Sequence, residues 1–164
     1  MSASASGPRF RPLDDVEYGR VQRVAPMIRR VIAANPSKFT YRGTGTYIVG
    51  DGDVAVIDPG PMLDSHRDAL AAAVRGERVR AICVTHCHSD HSPLAAWLKE
   101  ETGAPTYAYG PHPPPDPDDP AVAEELAEEI SDGVKVEESI DLAFEPDLRV
   151  GDGEVAASGP GWTM

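Results

Sequence analysis

Residues 85–92 read Thr85-His86-Cys87-His88-Ser89-Asp90-His91-Ser92, and this octet decides how the chain is read. Three imidazoles and one carboxylate fall between His86 and His91. The apolar run Val79-Arg80-Ala81-Ile82-Cys83-Val84 leads into it and reads as a buried strand. Directly after it, Ser92 reads as an N-cap and Pro93 as the first helical residue, and Leu94, Trp97 and Leu98 form an apolar stripe. The cluster therefore falls on a strand-to-helix loop, where chemistry is usually carried. His86 and His88 are two apart, so an extended segment projects both to one side and they can grip one metal ion. Asp90 and His91 follow once the chain turns, and aim at a neighbouring point. Neutral imidazole and carboxylate are the ligands that borderline divalent metals such as zinc prefer.

Thr85-His86-Cys87-His88-Ser89-Asp90-His91 resembles the H-x-H-x-D-H signature of the metallo-β-lactamase superfamily. The resemblance extends upstream through Gly43-Thr44-Gly45-Thr46-Tyr47-Ile48-Val49-Gly50 and Val56-Ile57-Asp58-Pro59-Gly60. Downstream it runs through Thr102-Gly103-Ala104-Pro105 to Gly110-Pro111-His112, so residues 35–112 match in order and spacing. It is closest in flavour to the hydrolase-like members, which include glyoxalase-II-type thioesterases and endoribonucleases. It implies an α/β fold, the αββα sandwich, with a metal pair at one edge, usually zinc and in some members iron. It implies that His86 and His88 bind the first metal, and Asp90 and His91 the second. Asp58 resembles the family aspartate that stands behind these ligands.

The resemblance also implies ligands this chain does not show. Family members add a His from a T-P-G-H-like segment, a bridging Asp and a final His, all from the later half of the fold. Here the sequence closes on Gly159-Pro160-Gly161-Trp162-Thr163-Met164. The other histidines, His66 in a helix-like stretch and His112 in a Pro-rich loop, read as surface residues. The chain is thus read as the first half of a two-half fold, a fragment. Residues 1–34 are read as an N-terminal arm and 35–164 as a partial domain, with an acidic, Pro-rich insert at about 112–145.

Composition sets further limits. With 41% hydrophobic and 6% aromatic residues, aliphatic side chains must fill the core. The N-terminus Met1-Ser2-Ala3-Ser4-Ala5-Ser6-Gly7-Pro8 lacks an apolar signal core, and no stretch is apolar enough to span a membrane, which points to the cytoplasm. Cys83 reads as a core thiol, and Cys87 as pointing away from the histidines that flank it. The net charge of −12 is concentrated: residues 116–147 hold thirteen acids and one base, Lys135, while the first 46 residues carry a net +5. The segment Ala121–Ile130 reads as a Glu-rich helix, solvated on its insert. Acid of this density disfavours a nucleic-acid partner and leaves a small-molecule substrate.

Around the octet, Thr46–Val49 and Val54–Ile57 read as strands joined at Gly50-Asp51-Gly52-Asp53. Asp64 or Ser65 opens a helix through Val74, Ser92–Thr102 forms a second that Gly103 stops, and Thr106–Tyr109 forms a further strand. Leu148–Val150 and Val155–Ala157 suggest a hairpin across Gly151-Asp152-Gly153. The chemistry such a loop supports is hydrolysis, because a metal lowers the pKa of bound water from 15.7 to roughly 7. Asp90 can ligate and also orient that hydroxide as a base. No Ser-His-Asp or Cys-His arrangement suggests itself. The leading expectation is a zinc-dependent hydrolase of a small ester, thioester or lactone. The alternatives are an endoribonuclease of the same superfamily and a non-catalytic remnant.

Overall fold

A computed structural model describes residues 16–113 and 140–164. The predicted helix Ala121–Ile130 and most of the acidic insert lie outside the described residues. The chain forms a seven-stranded sheet in sequential order, from β1 (Gln22–Ala25), β2 (Ile28–Ile32), β3 (Gly45–Asp51) and β4 (Asp53–Ile57) to β5 (Arg78–Cys83), β6 (Thr106–Ala108) and β7 (Leu148–Arg149). The first four strands pair antiparallel and the last four, β4 to β7, parallel. Helix α1 (Asp64–Ala73) joins β4 to β5, and α2 (Leu94–Thr102) joins β5 to β6.

The central strands explain the pattern. Val54, Ala55 and Val56 are all fully buried, as their unbroken apolar run requires when both sheet faces are covered. Val54, Val56 and Ile82 meet Leu70 of α1 and Leu98 of α2 on one face. Each such side chain contributes roughly 1.5–3 kcal/mol on burial. On the other face Ala55 and Ala81 are covered by Trp162, whose indole Nε1 donates to the Asp53 carbonyl at 2.9 Å. Small residues on the strands leave room for that ring. One helix layer and one sheet thus make an αβ half, and the hairpin of β8 (Ser158–Gly159) and β9 (Trp162–Thr163) lies against its second face.

Three readings need correction. The segment expected as an arm contributes β1 and β2, with Val31 and Ile32 buried and Arg29 ion-paired to Glu77 at 2.6 Å. Its charged residues hid the strand, because Arg29 and Arg30 interrupt the alternation. Second, Leu148–Val150 and Val155–Ala157 do not pair with each other. Here β7 runs parallel beside β6, while Ala156 and Ala157 bond to Met164. Asp147 directs this: its carboxylate takes the Thr106 N–H and hydroxyl, each at 2.9 Å, and Lys99 at 2.5 Å, which fixes the chain just before β7. Third, Ser92 does not cap α2 through its side chain. The residue before Leu94 is Pro93, in helical conformation, and the Ser92 hydroxyl is spent elsewhere. Gly103 ends α2 as expected, with φ 71° and its N–H on the Lys99 carbonyl at 2.8 Å. Among the described residues no helix is long and apolar enough to cross a membrane.

Candidate metal centre

Strand β5 delivers the chain to the octet, and α2 carries it away. The loop is held at both ends by the turn that follows β4. Asp58 sits there with φ 49°, a left-handed conformation that Asp tolerates better than most residues. Its Oδ1 accepts the Thr85 N–H at 2.8 Å and its Oδ2 the Thr85 hydroxyl at 2.8 Å, which sets the loop's entry. Two residues on, the Gly60 N–H bonds the His91 carbonyl at 2.9 Å and the Gly60 carbonyl accepts the Leu94 N–H at 3.2 Å, which sets its exit.

Between these anchors the imidazoles converge. The His86 ring centroid lies 4.6 Å from that of His88 and 4.0 Å from that of His91. Asp90 is buried, and the Thr44 hydroxyl donates to its Oδ2 at 2.5 Å. His91 lies between two carboxylates. Its Nε2 is 3.2 Å from Asp90 Oδ2, and its Nδ1 is 3.0 Å from Asp58 Oδ2, at ion-pair distance but off hydrogen-bond alignment. Burial works to lower the His91 pKa, but Asp58 and Asp90 overcome it and raise it to about 9. Burial raises the Asp90 carboxyl, yet bonds from His91 and Thr44 hold it below the ordinary value. Burial, and then the neighbouring His91 and His88, lower His86.

The five predicted residues, Asp58, His86, His88, Asp90 and His91, therefore occupy one place. Their donor set is right for a divalent ion: three imidazoles and a buried carboxylate, with a second carboxylate behind. Two of those donors, His91 Nε2 and Asp90 Oδ2, face each other instead of a common point. Among the described residues no group of three such side chains is arranged as a finished metal site.

Cys87 is buried in the core with Sγ 3.8 Å from the Gly110 carbonyl, away from the histidines, as strand alternation implies. Burial raises its pKa, and burial with the charge of Asp58 raises that of Cys83 to about 11, so neither offers a thiolate. His112 is half-exposed and bonds its neighbour Pro113.

His66 overturns its surface reading. It is 1% exposed, on the inner face of α1 with Leu70 and Ala73. Burial lowers its pKa from 6.5, against a smaller opposing effect of the Pro59 carbonyl. Below about pH 6.5 the unfolded chain takes up a proton that the folded imidazole refuses, so stability is lost as pH falls through that value. Thermal unfolding between about pH 7 and 5.5 should therefore slope less steeply in His66→Gln than in the wild-type chain. Parallel slopes would refute the assignment.

Sequence reasoning missed the supports from elsewhere in the chain. Asn35 donates from Nδ2 to Thr44 Oγ1 at 3.0 Å and accepts the Thr44 N–H at 2.9 Å, which aims the Thr44 hydroxyl at Asp90. Asp141 returns from the insert: its N–H bonds the Cys87 carbonyl at 2.7 Å and its Oδ2 takes the Ser92 hydroxyl at 2.7 Å. A cleft of about 420 Å³ opens beside the loop, with Met62, Pro93, Ala96, Ile140 and Phe144 on its apolar walls.

A family model described as the metallo-beta-lactamase superfamily matches residues 41–162, a stretch that contains the whole centre. The chain belongs to the metallo-beta-lactamase superfamily. An atrochrysone carboxyl ACP thioesterase of Aspergillus chevalieri is 38% identical over 91 residues, 54% of this chain and 28% of that protein. Lactamase-like protein ptaB of Pestalotiopsis fici is 36% identical over 84 residues, 49% of this chain and 25% of that protein. A beta-lactamase domain protein from Burkholderia ambifaria superposes with a TM-score of 0.56 at 20% identity, covering 93% of this chain and 49% of that one. BJP-1, a subclass B3 metallo-beta-lactamase of Bradyrhizobium japonicum, gives 0.51 at 19% identity, covering 85% and 48%. Such structural likeness shows the fold. The chain spans 25–28% of these two curated relatives and about half of the solved structures.

Proposed function

We propose that this chain carries the metal-binding half of a metal-dependent hydrolase that acts on a small thioester or ester. The observation that carries it is the convergence of His86, His88 and His91 beside buried Asp90, braced by Asp58. Curated relatives at 35–38% identity named as ACP thioesterases support the thioester class. The apolar walls of the neighbouring cleft suit an acyl group, and the net charge of −12 argues against a polyanionic substrate.

A zinc ion held by these residues would supply a nucleophilic water at neutral pH and polarise a carbonyl. The chain's own parts have separate tasks. His86 and His88 would bind one ion, and His91 and Asp90 a second, after His91 gives up the proton it shares with its carboxylates. Asp58 keeps His91 oriented, and the Thr44 hydroxyl keeps Asp90 ionised and aimed. Asp90 can then accept a proton from the attacking water.

Among the described residues each position has two protein ligands, where a catalytic zinc usually has three, so zinc should bind weakly and leave on dialysis. Competition with a chromogenic chelator should detect uptake by the wild-type chain and none by the His86→Ala/His88→Ala double variant. With the rest of the fold supplied, thiol release from a small acyl thioester should depend on added zinc and vanish in the double variant. Equal zinc uptake by both chains would defeat the metal assignment, and salt-sensitive RNA cleavage exceeding thioester hydrolysis would defeat the substrate class.

A further inference from the structure

His66 lies on no reaction path, yet its buried ring packs against the turn that holds the metal loop. We infer that His66 is a positioning residue, which through Thr46 and Gly60 fixes the Asp58–Gly60 turn and hence both ends of the loop bearing His86, His88, Asp90 and His91. The inference rests on the metal reading of that loop.

Its geometry is specific. His66 Nε2 is 2.8 Å from the Thr46 hydroxyl, and that hydroxyl is 2.7 Å from the Asp58 carbonyl. A carbonyl only accepts, so the hydroxyl spends its single proton on Asp58 and must accept from His66. This assigns His66 as the neutral Nε2–H tautomer and makes a directed chain from Nε2–H through Thr46 to the Asp58 main chain. Nδ1 is then a bare acceptor, and it is buried without a partner. An aliphatic side chain would fill the same space with no orphaned nitrogen, but it could not donate to Thr46.

The ring also touches the turn directly. Gly60 has φ 101°, and a Cβ there would fall 2.6 Å from His66 Nε2 and 2.7 Å from its Cδ2. The ring therefore lies where only a glycine lets the backbone pass. That backbone holds the His91 carbonyl and the Leu94 N–H, while Asp58 holds Thr85 and faces His91. The imidazole on α1 thus governs the entry and the exit of the loop without reaching a ligand itself. Residues that orient ligands in this way typically change metal affinity ten- to a hundredfold when removed.

The test compares His66→Leu, His66→Gln and Thr46→Val with the wild-type chain. Three quantities are read: unfolding, amide hydrogen exchange of Gly60, Thr85 and Leu94 without metal, and zinc affinity by chelator competition. His66→Leu and Thr46→Val should keep the protection of the central strands. They should speed exchange at Gly60 and Thr85 about tenfold and weaken zinc binding at least tenfold. His66→Gln, which can still donate to Thr46, should recover most of both losses. If His66→Leu lowers the melting temperature but leaves exchange and zinc affinity within twofold, His66 only fills the core and the inference is wrong. It is equally wrong if Gln fares no better than Leu. Should His66→Leu fail to fold, Thr46→Val against Thr46→Ser makes the same comparison. If the wild-type chain takes up no zinc, the metal reading fails, and the exchange rates alone decide whether His66 positions the loop.

Discussion

Asp58→Ala is expected to destabilise the chain by about 3 kcal/mol and to weaken zinc binding ten- to a hundredfold. Asp58 is 6% exposed, and its carboxylate serves three partners: the Thr85 N–H, the Thr85 hydroxyl and His91. Alanine leaves the Thr85 N–H without its acceptor, leaves the Thr85 hydroxyl only His86 Nδ1 as a partner, and strips His91 of one of two counter-charges. It also puts a residue that tolerates left-handed backbone poorly at φ 49°. Asp58→Asn separates these causes. It keeps the shape, an acceptor for the Thr85 N–H and tolerance of the backbone, but removes the charge. Urea unfolding should place Asn between wild type and Ala, while zinc competition should show Asn nearly as impaired as Ala. If both variants bind zinc within twofold of wild type, Asp58 does not organise the centre.

Gly43→Ala should be nearly as damaging, although Gly43 lies far from the octet in sequence. Its φ is 113°, and a Cβ there would sit 2.1 Å from the Ala33 carbonyl oxygen. That oxygen is backbone, on the segment leaving β2, and the Ala33 N–H is bonded to the Thr44 carbonyl at 2.9 Å. Neither strand can yield without breaking that bond. Backbone strain of about 1–3 kcal/mol and a similar cost of overpacking add to a loss of several kcal/mol. The displacement also moves Thr44, whose hydroxyl holds Asp90, so zinc affinity should fall with stability. Gly52→Ala is the control: φ is 74° but nothing lies within 4 Å, so it should cost only about 1–2 kcal/mol of backbone strain. Denaturant midpoints that rank the two variants equally would show that the clash at Gly43 is relieved without consequence.

The local signals in the sequence were reliable where one stretch of chain decides its own conformation. The unbroken apolar run of β4 demanded burial on both faces, and Val54, Ala55 and Val56 have it. The step from β5 through three histidines and an aspartate into α2 was legible because strand period, ligand chemistry and helix signals adjoin. Gly103 ended its helix because a left-handed residue is needed there. Tertiary structure alone decided what pairs across long separations. A histidine on a short helix reads the same whether that face meets water or core, and only packing on the turn after β4 buries His66. Its place one turn before Leu70 on the face of Ala73 was the available clue. Thr44 and Asp90 stand forty-six positions apart, and Asp147 steers β7 to β6 from across the insert. Hydrogen bonds of that kind follow from where the sheet brings two segments together, and no periodicity within either segment carries that information.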